Sequence, residues 1–411
     1  MRFSFIHAAD LHVDSPLAAL GAKDAGVAAR FAKAGRKAVE NLVARTLEEK
    51  AAFLVIAGDL FDGEWRDVST GLFLARALGP LHRANIPVFI LRGNHDAESK
   101  MSRALPYADS VRFFDARKAE TIVLEQWGVA LHGRSFPARE PPVDFVASYP
   151  AARPGLVNIG VLHTALQGAR DHAPYAPCTV EDLRRFGYDY WALGHVHAQS
   201  IVATDPWVVY PGNIQGRSVR ETGAKGAMRV TVEDGRIVEA APFACDAARW
   251  AHETLDISVC AEEADVAAAA DALFARAVAD AEGRPLALRL RLAGVSPRHA
   301  SLVAARERLE GDLRARAFAH AEDFWIERLQ VATSAPAAPA SDDEDALDIA
   351  ALIAAAAAEP DFADDLARLV KEAMDKTPGP LHTALQAALD DGLAEEARDL
   401  LVGVLAPEAR R

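Results

Sequence analysis

The stretch "YWALGHVHAQ" (residues 190–199) sets an apolar run against a glycine and two histidines, His195 and His197, that stand two positions apart. In extended backbone, side chains at i and i+2 point to the same side, so both imidazoles can address one small object. A metal centre is such an object. Alone, the pair would read as surface histidines at a strand end. Four other segments of the first half repeat the pattern. "FSFIHAA" (3–9) runs into Asp10-Leu11-His12, and "AAFLVIAG" (51–58) into Asp59-Leu60-Phe61-Asp62. "IPVFILRGN" (86–94) ends on Asn94 and runs into His95-Asp96, and a strand at 156–162 runs into His163.

Strands nearly continuous in Val, Ile, Leu and Phe, with helical stretches through 24–50 and 67–84 between them, indicate an α/β sheet covered on both faces. Loops beyond the carboxyl ends of such strands form the binding crevice, so five ligand-rich loops converge on one rim. Their Asp, Asn and His donors suit Mn²⁺, Fe or Zn²⁺ and leave thiolate chemistry out. The glycines before Asp59, Asn94 and His195 would let the backbone turn sharply, aiming the next side chain inward. Further strands are expected at 111–114, 121–125, 129–132 and 207–212. An Asp234-Gly235 turn between "AMRVTVE" and "RIVEAAPF" reads as a hairpin. Late strands without intervening helices predict a second, more antiparallel half.

At 411 residues and 51% hydrophobic, the chain has material for two or three domains. The pattern restarts near 245–252 and gives a β-α-β-α-β unit with its own core. "TSAPAAPASDDEDA" (333–346) cannot bury enough surface to fold and reads as a linker. Beyond it, 346–358, 361–376 and 380–404 look helical, punctuated by Pro360, Pro378 and Pro380. The expected organisation is therefore 1–245, 250–332, a linker at 333–346, and a helical module at 347–411. Net charge is −14, but residues 341–411 hold 17 acidic and 6 basic side chains, leaving 42 against 39 before them. The acidity belongs to the tail, and the rest of the chain is not excluded from nucleic acid. Cys178, Cys245 and Cys260 match no zinc or redox spacing. The start has no signal-peptide pattern and no window reaches the roughly 18 apolar residues of a membrane span. A cytoplasmic protein without membrane contact is expected.

The ordered set D-x-H, G-D, G-N-H-D, H and G-H-x-H resembles the calcineurin-like metallophosphoesterase superfamily over residues 1–245. That resemblance implies a four-layer β-sandwich flanked by helices and two divalent ions, Mn²⁺ first, with Fe or Zn also compatible. Carried over by position, Asp10, His12, Asp59 and His197 hold one ion, while Asp59, Asn94, His163 and His195 hold the other. Two ions against two carboxylates keep the centre positive and draw an anionic phosphate. His95 is then free to stabilise the phosphorus or protonate the leaving oxygen. Asp96 or Asp62 would orient it, or would cap a neighbouring turn.

Within the superfamily, "FIHAADLHVDSPL", "AGDLFDG" and "YPGNIQGRSVRETGAKG" (210–226) resemble the DNA repair exonucleases of the SbcD type, most closely the YhaO branch. The small α/β domain resembles their capping domain. The resemblance implies a Mn²⁺-dependent DNA exonuclease or endonuclease, with Arg217, Arg220 and Lys225 placed to contact DNA phosphates. It also implies an SMC-like ATPase with coiled-coil arms as partner, and leaves a homodimer open. That partner would dock on the C-terminal module, where Leu366, Leu369, Val370 and Ala373 need a surface to pack on. One departure is visible: relatives with a histidine three residues after the bridging aspartate have Asp62 here, which puts a second catalytic imidazole in doubt. Two alternatives stand beside this reading. One is a phosphatase or small-molecule phosphodiesterase, since fold does not fix substrate; the other is an ATPase-recruiting scaffold with vestigial activity, against which the full set of seven ligands argues.

Overall fold

The computed structural model describes residues 1–15, 25–62, 68–97, 107–142, 144–166, 175–336, 352, 355–356 and 359–377. The chain divides into two units, with the boundary between Arg249 and Trp250.

Twelve strands build the first unit: β1 (Arg2–Ala8), β2 (Leu54–Ala57), β3 (Val88–Leu91), β4 (Val111–Phe113), β5 (Glu120–Leu124), β6 (Val129–Gly133), β7 (Val157–His163), β8 (Tyr190–Gly194), β9 (Ser200–Thr204), β10 (Trp207–Tyr210), β11 (Gly226–Glu233) and β12 (Arg236–Ala244). They form two six-stranded sheets, ordered β12-β11-β1-β2-β3-β4 and β5-β6-β7-β8-β10-β9. Strands β1 to β4 run parallel, as do β6, β7, β8 and β10. Period-2 alternation assigns the faces. Phe5, Val55, Ala57, Phe89 and Leu91 turn inward against Val129, Leu131, Ile159, Val161 and Tyr190 of the facing sheet. Their neighbours Ile6, Leu54, Ile56, Val88 and Ile90 turn outward, where the helices Ala25–Glu48 and Val68–Arg83 supply Ala38, Leu42, Leu74 and Leu78. On the opposite flank Leu162, Trp191 and Leu193 pack against Phe145, Tyr149 and Leu183. Each such fully buried side chain is worth about 1.5–3 kcal/mol. The result is the helix–sheet–sheet–helix sandwich expected of a mixed α/β metallophosphoesterase fold.

One expectation needs correction. The late strands do pair mostly antiparallel, β9 with β10, β11 with β12 and β11 with β1, but they form no half of their own: β9 and β10 join one sheet and β11 and β12 the other. The 226–244 hairpin pairs instead with β1 of the first sheet, antiparallel, with Phe5 opposite Val230. β9, which sequence periodicity missed because four of its five residues are exposed, covers the β10 edge antiparallel. The hairpin takes the β1 edge, where its Met228, Val230 and Val232 join Phe5 in the core between the sheets.

The second unit carries β13 (Arg249–Asp256), the helix Glu263–Asp280, β14 (Leu286–Val295), the helices His299–Ala304 and Arg306–His320, and β15 (Phe324–Ser334). The sheet order is β13-β14-β15, with β14 and β15 parallel. Leu273, Phe274, Leu288, Leu290, Leu313, Phe324 and Ile326 form its core. The single helix expected at 297–319 is broken at Ala305, and β15 continues to Ser334, so the expected linker begins inside a strand. The helix Pro360–Lys376 leaves Phe362, Leu366 and Leu369 exposed. Residues 337–346 of the expected linker, most of the helix expected at 346–358 and the one expected at 380–404 lie outside the described residues. All three cysteines are free and buried. Among the described residues no helix is long and apolar enough to cross a membrane.

Candidate metal centre

The carboxyl ends of β1, β2 and β3 meet those of β7 and β8 at one rim of the sandwich. Beyond the strands the ladder continues through the loops: Asp10 N donates to Gly58 O at 3.0 Å, and His12 N to Asp59 O at 3.1 Å. The two sheets are tied below the rim by His7. Its Nε2 donates to Leu193 O at 3.1 Å, and Tyr190 OH donates to its Nδ1 at 3.0 Å. Burial lowers the pKa of His7 to about 3, so it stays neutral.

The backbone at the rim is strained. Asp10, His12, Asp59 and His195 all have positive φ, at 52°, 41°, 50° and 96°. Such conformations cost about 1–3 kcal/mol each and concentrate at functional sites. Of the glycines expected to turn the chain, Gly58 does so, at φ 103°. Gly194 serves a different purpose: a Cβ there would run into Ala57 O and lie 2.9 Å from His163 Nδ1, so its missing side chain lets the two sheet ends touch. Gly93 likewise leaves room for Asp59.

All seven residues proposed as ligands come together. One cluster is Asp10, His12 and His197, another Asp59, His163 and His195, with the donor atoms in each within 4.8 Å of one another. Donors about 2.1 Å from a shared ion would lie about 3 Å apart when adjacent and about 4.2 Å when opposite. Asp59 Oδ2 lies between the clusters, 3.9 Å from His12 Nε2 and 3.3 Å from His163 Nε2. Asn94 Oδ1 lies 3.0 Å from the same His163 nitrogen. His195 also contributes its backbone N–H, which donates to both oxygens of Asp10 at 3.0 and 3.1 Å.

The donor set fits cations. His163 Nδ1 donates to Ala57 O at 2.9 Å, and His197 Nδ1 to Glu221 Oε1 at 2.7 Å, which turns both Nε2 lone pairs toward the cluster. His197 Nε2 then faces His12 Nε2 at 3.1 Å, and His163 Nε2 faces Asn94 Oδ1 and Asp59. His12 Nδ1 is buried without a hydrogen-bond partner, 3.7 Å from Asp62 Oδ1. Acceptors converging on acceptors can be satisfied only by protons or metal ions. Titration behaviour points the same way. Burial would raise the pKa of Asp59, but the neighbouring His163 overrides it and holds the carboxylate well below its usual range. Burial opposes charge on His163, yet Asp59 raises its pKa to about 9. Asp10, mainly through burial, is pushed up to about 6.

Beside the cluster stands His95, whose side chain is 34% exposed and whose Nδ1 lies 3.2 Å from Asp62 Oδ1. Ser15 Oγ donates to the other Asp62 oxygen at 2.7 Å. Asp62 thus faces His95, whereas Asp96 does not. Asp96, read from sequence as a catalytic candidate, accepts the N–H groups of Leu60, Phe61 and Gly93 and caps the Asp59 loop. Burial, with the Asp59 charge beside it, pushes Asp96 up to about 7 against the pull of these amides. The basic residues proposed for DNA also divide. Arg220 is exposed, but Lys225 donates to His197 O at 3.3 Å and Arg217 turns inward. Arg217 Nη2 lies 3.3 Å from Glu221 Oε1 and its Nη1 3.7 Å from Asp62 Oδ2, so it spans the supports of His197 and His95.

Sequence reading missed Glu221. Its side chain is 13% exposed, and its Oε2 accepts from Arg217 N at 2.7 Å and Asn213 Nδ2 at 2.9 Å. Burial opposes its charge, but the bond to His197 and the charge of Arg217 hold its pKa well below the usual carboxylate range. A lone acid inside the basic run "GRSVRETGAKG" is the one signal that could have marked it.

Comparison with known proteins follows the same division of the chain. The calcineurin-like phosphoesterase family matches residues 3–199, and the middle domain of metallophosphoesterase YhaO matches residues 250–334. Over 298 residues the chain is 32% identical to an uncharacterized metallophosphoesterase, YhaO, of Bacillus subtilis (strain 168), covering 72% of each chain. A solved dimetal phosphatase from Danio rerio is similar over 58% of this chain and 97% of its own, with 14% identity and a TM-score of 0.36.

Proposed function

From the premise that the chain belongs to the calcineurin-like metallophosphoesterases, in the YhaO group, we propose that it hydrolyses phosphodiester bonds of DNA as a Mn²⁺-dependent nuclease. Asp10, His12, Asp59 and His197 would hold one ion, and Asp59, Asn94, His163 and His195 the other. Bound there, the two ions supply the positive field that polarises a phosphoester and acidifies a water.

The observation that carries the diester reading is the His95–Asp62 pair at the edge of an otherwise buried cluster. The departing oxygen of a DNA diester is an alkoxide and needs a proton. Asp62 holds the His95 ring through Nδ1 and leaves Nε2 as the atom that can pass a proton to that oxygen. Arg217 steadies Asp62 from one side and Ser15 from the other. The backbone amides on Asp96 keep the Asp59 loop from shifting during the reaction.

Digestion of end-labelled single- and double-stranded DNA with Mn²⁺ tests the proposal, with p-nitrophenyl phosphate as the competing monoester. DNA cleavage that is lost in His95→Ala supports it; hydrolysis of the monoester alone would make the protein a phosphatase, and no hydrolysis of either would favour a scaffold. A further part of the reading is docking of an SMC-like ATPase on the module 347–411, supported by the exposed Phe362, Leu366 and Leu369 of the described helix. Deleting 341–411 should abolish that association and spare oligonucleotide cleavage, because a segment of 17 acidic against 6 basic residues repels DNA. Loss of cleavage with the partner still bound would reverse the assignment.

A further inference from the structure

An open cavity of about 640 Å³ lies at the carboxyl ends of β3 and β4, beside the Asn94 side of the candidate metal centre. Its size falls within the range of ligand pockets, roughly 300–1,000 Å³. Three arginines line it, Arg92, Arg112 and Arg117, together with Phe113 and the acids Asp115 and Glu120. The charge is therefore positive by one. Arg92 stands two residues before Asn94, and its guanidinium lies 4.2 Å from the centroid of Phe113. Pro137 on the facing wall follows Phe136, whose ring packs edge-on to His163 at 5.7 Å. The cavity is thus built on the residues next to the site, from both sheets.

The walls are fixed and the cations are adjustable. Arg92 N donates to Ser135 Oγ at 3.1 Å, and Phe136 N donates to Arg92 O at 2.9 Å, locking that wall between the sheets. Arg134 donates to the carbonyls of Ala116 and Arg117 and holds the opposite turn. Arg112 pairs with Glu120 at 2.8 Å and Arg117 with Asp115 at 3.1 Å, both at the surface. Exposed ion pairs of this kind are weak. An arginine can leave such a pair for a phosphate, whose oxygens take two parallel N–H bonds from one guanidinium.

We propose that this cavity is a subsite for the backbone phosphate that neighbours the scissile one on a bound DNA strand. The reading rests on the DNA-hydrolase proposal above and extends it. Arg92 stands at the end of β3 beside Asn94, and Arg112 lies on β4, two strands or about 10 Å from β2, whose end carries Asp59, so the cavity adjoins the centre and suits a nearby phosphate of the same chain. Phosphate contacts of this sort fix register without reading sequence.

The test compares the KM of the Mn²⁺-loaded full chain for the dinucleotide TpT with that for the same dinucleotide carrying a terminal phosphate at its 5′ or its 3′ end. Bis-p-nitrophenyl phosphate, which has no neighbouring phosphate, is the control. The wild type should favour one of the end-phosphorylated dinucleotides by about tenfold, the scale of one or two charge-assisted contacts. In R112E/R117E, and in R112Q/R117Q as the milder change, that preference should fall below about twofold while bis-p-nitrophenyl phosphate turnover is unchanged. Both arginines are exposed, so neither change disturbs the core. A preference retained in both variants, or absent from the wild type, overturns the subsite and leaves DNA hydrolysis standing. Hydrolysis of the control but of no dinucleotide overturns the DNA reading and the subsite with it.

Discussion

Replacing Glu221 by glutamine should weaken one of two bound ions without touching any proposed ligand. The carboxylate serves His197 Nδ1 with one oxygen and the N–H groups of Arg217 and Asn213 with the other. Glutamine has a single acceptor oxygen, so its amide NH₂ must confront a donor on one side. If that side is His197, the ring must carry its proton on Nε2, the atom turned toward the cluster, and it can no longer ligate. If it is the other side, two N–H groups in a nearly closed pocket lose their acceptor and the side chain is pushed out of line. Removing a support of this kind from a ligating histidine costs about 10–100-fold in metal affinity, or about 1.4–2.7 kcal/mol. Calorimetric titration of the metal-free protein with Mn²⁺, checked by elemental analysis, reads the effect directly. One ion should bind as in the wild type and the other 10–100-fold more weakly, with Glu221→Ala at least as severe. Two ions bound with unchanged affinity would show that His197 does not depend on Glu221 and that its ligand role is misassigned.

Three further outcomes are expected. His95→Ala should keep both ions and lower turnover by about 10²–10⁴, the scale of a positioned acid or base, measured on the same DNA substrate; loss of metal would make His95 a ligand. Asp96→Ala leaves the buried N–H groups of Leu60, Phe61 and Gly93 without an acceptor, so it should cost about 3 kcal/mol in urea unfolding of the metal-free protein. An unchanged midpoint would remove its capping role. His7 has a pKa near 3 in the folded state against 6.5 unfolded. Its neutral form therefore contributes stability that is present above pH 6.5 and is lost as pH falls toward 3. Between pH 6.5 and 5 this single group accounts for about 2 kcal/mol, because one pKa unit is 1.36 kcal/mol. In His7→Gln the unfolding midpoint should depend less on pH in that window; an identical dependence would mean that His7 protonates freely in the fold.

The strand ends were legible because each candidate ligand follows an apolar run, and buried parallel strands have few other readings. Asp10, His12, Asp59, Asn94, His163, His195 and His197 meet in space for that reason: the carboxyl ends of the parallel strands of two mixed sheets can share one rim. What supports them was not legible. Glu221 reaches His197 across 24 positions and from a turn, where no periodicity applies. Arg217 and Lys225 looked like solvent-facing cations because nothing in a basic loop marks which side chains turn inward. Asp62 and Asp96 were equivalent on paper, three residues past an aspartate or one past a histidine. Only the chain path decides that one faces His95 and the other faces backbone amides. The β11–β12 hairpin was recognised by its turn, but its period does not say which sheet edge it joins, and β9 is an exposed edge strand with no alternating pattern to reveal it.

The most direct test of the account is the metal content of wild type and Asp59→Ala after equilibrium dialysis against Mn²⁺, measured by elemental analysis. Asp59 Oδ2 lies within 3.9 Å of His12 Nε2 and 3.3 Å of His163 Nε2, so this one carboxylate belongs to both clusters. The account predicts two ions per wild-type chain and at most one in the variant, with hydrolysis abolished. A wild type that binds no ion, or an Asp59→Ala protein that retains two and turns over normally, would contradict it.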